Sequence, residues 1–290
     1  MYFVGLDLAW GENNQTGIAV IDADGRLDYV GAATDDDSIV ASLEPYVSGE
    51  CLVGIDAPLV VNNPSGRRRA EAELTADFGK FDAGAHPANT GIGVFADVPR
   101  GARIAETLGL DIDPASQSAR RAIEVYPHPA MVVLFELDRT LKYKRGDFPN
   151  RRAELLRLMD LIEELANFDP QLRVKHLPDW AQLRNIVAAA TKPVHLQRAE
   201  DPVDAVVCAY IALYRDRRPG DVTMYGDFAS GYVITPTLPP HLVPAPRARS
   251  STKRSDDDLA TRLTRAEAAL AELQREIASI RDRLGGYRLK

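Results

Sequence analysis

Asp7 interrupts the apolar run Tyr2-Phe3-Val4-Gly5-Leu6-Asp7-Leu8-Ala9-Trp10, which has the length and composition of a buried β-strand. Burying an ionised carboxylate there is costly unless a cation meets it. The pattern returns at Cys51-Leu52-Val53-Gly54-Ile55-Asp56-Ala57-Pro58, a second strand-like run that ends in Gly, an aliphatic residue and Asp. A third acid, Asp204, stands in Asp201-Pro202-Val203-Asp204-Ala205-Val206-Val207-Cys208-Ala209. That segment reads as the first turn of an apolar helix, with Asp201 as N-cap and Pro202 at the first helical position. Acids delivered by three separate elements point to one shared cation.

Around these acids the pattern is α/β. Runs at 2–9, 16–21 and 27–33, joined by the polar turn Gly11-Glu12-Asn13-Asn14 and by Asp24-Gly25, predict a three-stranded antiparallel meander. Thr34-Asp35-Asp36-Asp37 predicts the start of a helix reaching about residue 46, and the chain returns in the strand that ends at Asp56. Residues 62–119 are less regular, with helices expected over 68–78 and 103–108, and read as an insertion. A strand is expected at 122–126, then Pro127-His128-Pro129 as a rigid exit before a helix starting near Ala130. Helices over 151–168, 179–190 and 203–214 and a hairpin over 223–234 complete a domain of residues 1–235.

The composition changes at the prolines 236, 239, 240, 244 and 246, which with the following Arg and Ser residues predict a linker over 236–255. Leu259, Leu263, Ala266, Leu270, Leu273, Ile277, Ile280 and Leu284 then alternate by four and three, an a/d seam that predicts a coiled coil over 256–286 and a homo-oligomer formed through it. The alternative is an amphipathic helix docked on its own domain.

A net charge of −7 over 290 residues argues against a chain coated in positive charge for sequence-independent nucleic-acid binding, but leaves room for local basic clusters. Arg67-Arg68-Arg69, Arg120-Arg121, Lys142, Lys144-Arg145 and Arg151-Arg152 form such clusters, which either neutralise phosphates beside an acidic site or lie on solvated surfaces. No run reaches the ~20 apolar residues that span a bilayer, and the N-terminus lacks signal-peptide features, so a cytoplasmic protein with no membrane partner is expected. Cys51 and Cys208 lie in apolar runs without zinc-binding spacing and read as reduced core residues.

A hard divalent ion such as Mg2+ or Mn2+ takes oxygen ligands, so Asp7, Asp56 and Asp204 suit it better than His and Cys would. Asp201 is a ligand or a cap. Glu124, in an otherwise apolar strand, is a ligand, an acid supporting the ligands or an ion-pair partner. His128 either shuttles a proton or contacts phosphate beside Glu124, or is structural. His86 lies in a loop that nothing in the sequence anchors. Each aspartate also has a local role open to it, at a turn or in a first helical turn.

The order of these segments resembles the RNase H-like superfamily, and within it the RuvC-like branch. The four segments Gly5-Leu6-Asp7-Leu8-Ala9-Trp10, Gly54-Ile55-Asp56-Ala57-Pro58-Leu59, Glu124-Val125-Tyr126-Pro127-His128-Pro129-Ala130 and Asp204-Ala205-Val206-Val207-Cys208-Ala209-Tyr210 together look like the DUF429 family of predicted nucleases. The resemblance covers about residues 1–235. It implies a mixed sheet flanked by helices, with metal held by Asp7, Asp56, Glu124, Asp201 and Asp204 and catalysis by Asp7, Asp56, Glu124, Asp204 and His128. The implied reaction is metal-dependent hydrolysis of phosphodiester bonds in DNA or RNA. One departure stands out: RuvC-like enzymes place Glu at the fourth-strand position where this chain has Asp56. Two other readings remain: a non-catalytic RNase H-like scaffold that oligomerises through its coiled coil, and an actin-like or sugar-kinase-type phosphotransferase. The second lacks a persuasive phosphate loop in Gly11-Glu12-Asn13-Asn14.

Overall fold

The opening apolar run folds as β1 (Tyr2–Asp7), with Phe3, Val4 and Leu6 fully buried, in the computed structural model, which describes residues 1–12 and 14–245. Strands β2 (Thr16–Ile21) and β3 (Leu27–Ala33) follow as the expected antiparallel meander. Gly25 takes φ +73° in the turn between them, a left-handed conformation that costs glycine little. In helix α1 (Asp36–Val47), the Asp35 carboxylate accepts from the Ser38 N–H at 2.8 Å and caps the first turn. Ile39, Leu43 and Val47 recur every four residues and form its buried stripe.

Strand β4 (Cys51–Ile55) pairs parallel with β1, and β5 (Arg120–Glu124) pairs parallel with β4, so the sheet runs β3-β2-β1-β4-β5. Helices α2 (Arg69–Phe78) and α3 (Arg100–Thr107) lie between β4 and β5 in the chain. After β5 come α4 (Pro127–Leu134), α5 (Phe148–Glu164), α6 (Pro178–Ala188) and α7 (Pro193–Arg217), then the hairpin of β6 (Val222–Asp227) and β7 (Gly231–Pro236). Helix α7 packs along β1, β2 and β4 and supplies Val203, Val206 and Leu213 to the main core. A smaller core joins Leu74 and Phe78 of α2 to Val132 of α4 and to Tyr225 and Val233 of the hairpin. Cys51 and Cys208 are both buried and free, as expected. Among the described residues no helix is long and apolar enough to cross a membrane.

Helices α3 and α5 each begin three residues earlier than expected and β5 lies two residues earlier, and three further boundaries change how residues are placed. Helix α7 begins at Pro193 rather than at Pro202, so Asp201 is an interior helical residue and not an N-cap. Pro202 lacks one helical N–H, a cost of about 3 kcal/mol in an isolated helix, which burial of the apolar residues that follow offsets. Helix α4 begins at Pro127, so His128 sits in its first turn instead of on a strand exit. Finally, residues 236–245 pack onto the folded unit Met1–Ala245: the Ala245 N–H donates to the Asp138 carbonyl at 3.2 Å, and Leu238 and Leu242 lie against the smaller core. The rest of the expected linker and the coiled coil over 256–286 lie outside the described residues.

Candidate functional site

Three glycines decide how closely the acids approach one another. A Cβ on Gly5 of β1 would lie 1.9 Å from the Ala205 carbonyl oxygen, one on Gly17 of β2 1.9 Å from the Asp201 carbonyl oxygen, and one on Gly54 of β4 2.5 Å from the Cys208 carbonyl oxygen. Only bare backbone on three neighbouring strands lets α7 lie this close to the sheet. Alternation along a strand then puts Gly5 and Asp7 on the same face, toward α7. Gly17 is the antiparallel partner of Asp7, so the aspartate is brought to the helix where Asp201 passes. Beyond the end of β4, the Asp56 N–H donates to the Leu6 carbonyl at 2.8 Å and carries Asp56 alongside Asp7. Asp201 and Asp204 are three apart on α7 and share one helix face.

The three carboxylates of Asp7, Asp201 and Asp204 meet at the ammonium of Lys144. Its Nζ lies 2.6 Å from Asp204 Oδ2, 3.1 Å from Asp7 Oδ2 and 3.8 Å from Asp201 Oδ1. The second oxygen of Asp204 accepts from the buried Tyr143 hydroxyl at 2.7 Å, and Asp201 also accepts from the Gln15 amide at 3.2 Å. Asp56 makes no side-chain hydrogen bond or ion pair among the described residues. Three carboxylates thus share one ammonium, and among the described residues Asp56 stands beside them without an ion pair of its own. Burial, opposed by Lys144 and reinforced by Asp204 and Asp201, pushes the Asp7 carboxyl up to about 7. Burial likewise raises Asp201 to about 6, and burial together with Asp7 lifts Asp56 well above the usual carboxylate range. Lys144 is held charged, because Asp204 and Asp7 outweigh the effect of its burial.

Glu124 lies apart from this cluster in a buried ion pair. Arg68 grips it with two N–H groups, at 2.9 Å to Oε2 and 2.5 Å to Oε1, and the Leu59 N–H adds a third donor at 2.9 Å to Oε2. Glu71 balances the same guanidinium at 2.8 Å, and both of its oxygens accept from the Ala88 N–H at 3.0 Å. Of the three roles open to Glu124, the structure displays the ion pair. His128 Nδ1 is paired with the Thr140 hydroxyl at 3.2 Å, and its ring stands edge-on to Tyr126. Burial lowers His128 to about 4, so it is neutral at neutral pH.

Two cavities flank the acids. One, of about 400 Å³, is lined by Asp7, Asp56, Trp10, His128, Lys142 and Arg145, with His86 also on its wall. The other, of about 600 Å³, is lined by Asp7, Gln15, Lys144, Arg198 and Asp201. Asp7 and Lys144 border both. The buried Arg100 fixes the nearby chain reversal, donating to the carbonyls of Ala9, Gly11 and Thr34 at 2.8–3.0 Å and to Asp36 at 2.7 Å. The adjoining Trp10 stays 37% exposed, with its edge against Phe95.

The donor set is all oxygen, which suits Mg2+ or Mn2+ in kind. As the side chains stand, no three His, Cys, Asp or Glu among the described residues form a metal-holding group, because the acids close on Lys144 instead. From the sequence, Lys144 and Arg68 stand only in basic clusters that either neutralise phosphates beside the acidic site or lie on solvated surfaces, neither is marked as a partner of a buried acid, and Tyr143 and Arg100 are not singled out. The signal available was faint: Tyr143 is an aromatic residue inside the basic stretch Lys142-Tyr143-Lys144-Arg145. A family model described as "Protein of unknown function (DUF429)" matches residues 5–229. No curated protein and no solved structure matches the chain.

Proposed function

The chain belongs to the DUF429 family, and from its carboxylate site we propose that it is a divalent-metal-dependent nuclease of RNase H-like fold. One observation carries this reading: Asp7, Asp56, Asp201 and Asp204 converge from β1, the end of β4 and α7 with one ammonium among them. Such an excess of buried negative charge is stable only with bound protons or with more positive charge. The sheet order, with an antiparallel meander followed by two parallel strands and acids at the first strand, after the fourth and on a late helix, supports the RNase H-like assignment.

In this reading Asp7, Asp56, Asp201 and Asp204 hold Mg2+ or Mn2+. When bound, the ion supplies Lewis acidity toward a phosphate and the water that attacks it. The chain's own groups do the rest. Tyr143 orients Asp204 through its 2.7 Å hydrogen bond. Lys142 and Arg145, on the cavity wall beside Asp7 and Asp56, offer charge to the nucleic-acid backbone. Trp10 presents an exposed ring on which an unpaired base can stack. Arg68 keeps the charge of Glu124 paired, so that it adds little to the repulsion among the four aspartates.

The test is calorimetric titration of Mn2+ into the wild type and Asp7→Asn, followed by cleavage assays on single-stranded, duplex, hybrid and branched substrates. The reading requires metal binding and metal-dependent cleavage by the wild type, both lost in Asp7→Asn; wild type that binds no metal overturns it. A second reading, a non-catalytic scaffold, is favoured by the position of Lys144, which already neutralises part of the acidic cluster. Metal-free protein that binds nucleic acid or a partner but never cleaves would establish it.

A further inference from the structure

The cation that the acids call for is carried by the chain itself. Lys144 occupies the point on which Asp7, Asp201 and Asp204 converge, and the backbone around it is pinned in place. Tyr143 donates to Asp204, the Tyr143 carbonyl accepts from Arg151 Nε at 3.1 Å, and Arg151 pairs at 2.8 Å with Glu200, the residue before Asp201. Thr140 is tied to Phe81 by its N–H at 2.9 Å. The Lys144 side chain, by contrast, is 34% exposed and borders both cavities, so a four-carbon stem has room to swing while its backbone stays fixed. An ammonium and a divalent ion compete for these carboxylates: Lys144 lies against one oxygen of each of Asp7, Asp201 and Asp204, and two cations held at this range repel.

We infer that Lys144 is a built-in competitor of the divalent ion, holding Asp7, Asp201 and Asp204 together in the metal-free protein and leaving them when the ion binds. This inference rests on the metal-dependent reading of the same site. Lys144 preserves the geometry of the acids when metal is scarce and lowers the site's affinity, so the site fills only at higher metal concentration.

The test is titration of Mn2+ into the full chain without nucleic acid, comparing the wild type with Lys144→Met, Lys144→Gln and Lys144→Arg. Both neutral variants should bind Mn2+ about tenfold or more tightly than the wild type, and Lys144→Arg should stay near it. Without metal the neutral variants should melt below the wild type, with Mn2+ restoring much of the difference. Two neutral variants guard against one that fails to fold. Unchanged or weaker Mn2+ binding by a folded neutral variant overturns the competition and leaves the metal reading standing. Absence of Mn2+ binding by both the wild type and the folded variants overturns the metal reading, and the competition with it.

Discussion

Gly5 touches α7 so closely that its missing Cβ would stand 1.9 Å from the Ala205 carbonyl oxygen and 2.3 Å from the Ala209 nitrogen. The obstructing atoms are backbone, so no side chain can rotate away. Gly5→Ala must push the helix off the sheet, and with it Asp201 and Asp204 away from Asp7. Overpacking of this kind usually costs about 1–3 kcal/mol, and here the loss is expected at or above the top of that range. Denaturant melts of the variant check it; stability within about 0.5 kcal/mol of the wild type would contradict the close approach.

Arg68 and Glu124 form a pair in which each side chain is almost wholly buried. Removing one partner leaves the other charged and unpaired, so Arg68→Met is expected to destabilise by about 3–5 kcal/mol. Combining it with Glu124→Gln should recover part of that loss, because the double variant no longer buries an unpaired Glu124, although the buried Glu71 still lacks its cation. A double-mutant cycle measures the coupling, and strictly additive losses would show that the pair is not the unit of stability.

Asp7 is worth more to the proposed activity than to folding. Its environment favours the neutral carboxyl, so at pH 8 in a chelator Asp7→Asn should be more stable than the wild type by about 1–2 kcal/mol, even after loss of the contact with Lys144. Thermal melts with and without Mn2+ separate the effects: the variant should gain without metal and fail to respond to it. A clear loss of stability in chelator would show that the Lys144 contact outweighs the crowding of acids.

The raised carboxyls set the direction of pH dependence in the metal-free protein. Asp7, pushed to about 7 from 3.8, and Asp201, pushed to about 6, each keep a proton in the folded state over a range where the unfolded chain has lost it. Their contribution is therefore complete below about pH 4 and is lost as the pH rises toward about 7, with Asp7 accounting for roughly 2–4 kcal/mol. Urea melts between pH 4.5 and 8 in chelator should show stability falling across that window. Mn2+ should flatten or reverse the slope, because it binds the deprotonated acids. A rise in metal-free stability over the same window would overturn the assignment.

Much of the fold was legible because it rests on local patterns. The meander, a helix start within residues 34–37, the Asp24-Gly25 turn and the returning strand at β4 follow from alternation, capping oxygens and a glycine that tolerates positive φ, whereas the parallel pairing of β4 with β1 does not. Asp201 and Pro202 misled for the same reason: that pair looks locally like a helix start, whereas packing against Gly17 and the apolar residues downstream extends the helix back to Pro193.

By itself the sequence determined which carboxylates are anomalous, since Asp7, Asp56 and Asp204 are charges inside apolar runs and burial is written in such runs residue by residue. Only the tertiary structure decided what meets them. Lys144 is 137 residues from Asp7 along the chain and sits in a stretch without periodicity, and Arg68 is 56 residues from Glu124. Nothing local distinguishes these two cations from solvated ones. Their pairing is set by where loops land once α7 has closed on the glycines of the sheet, because an ion pair depends on distance in space and not on separation in sequence.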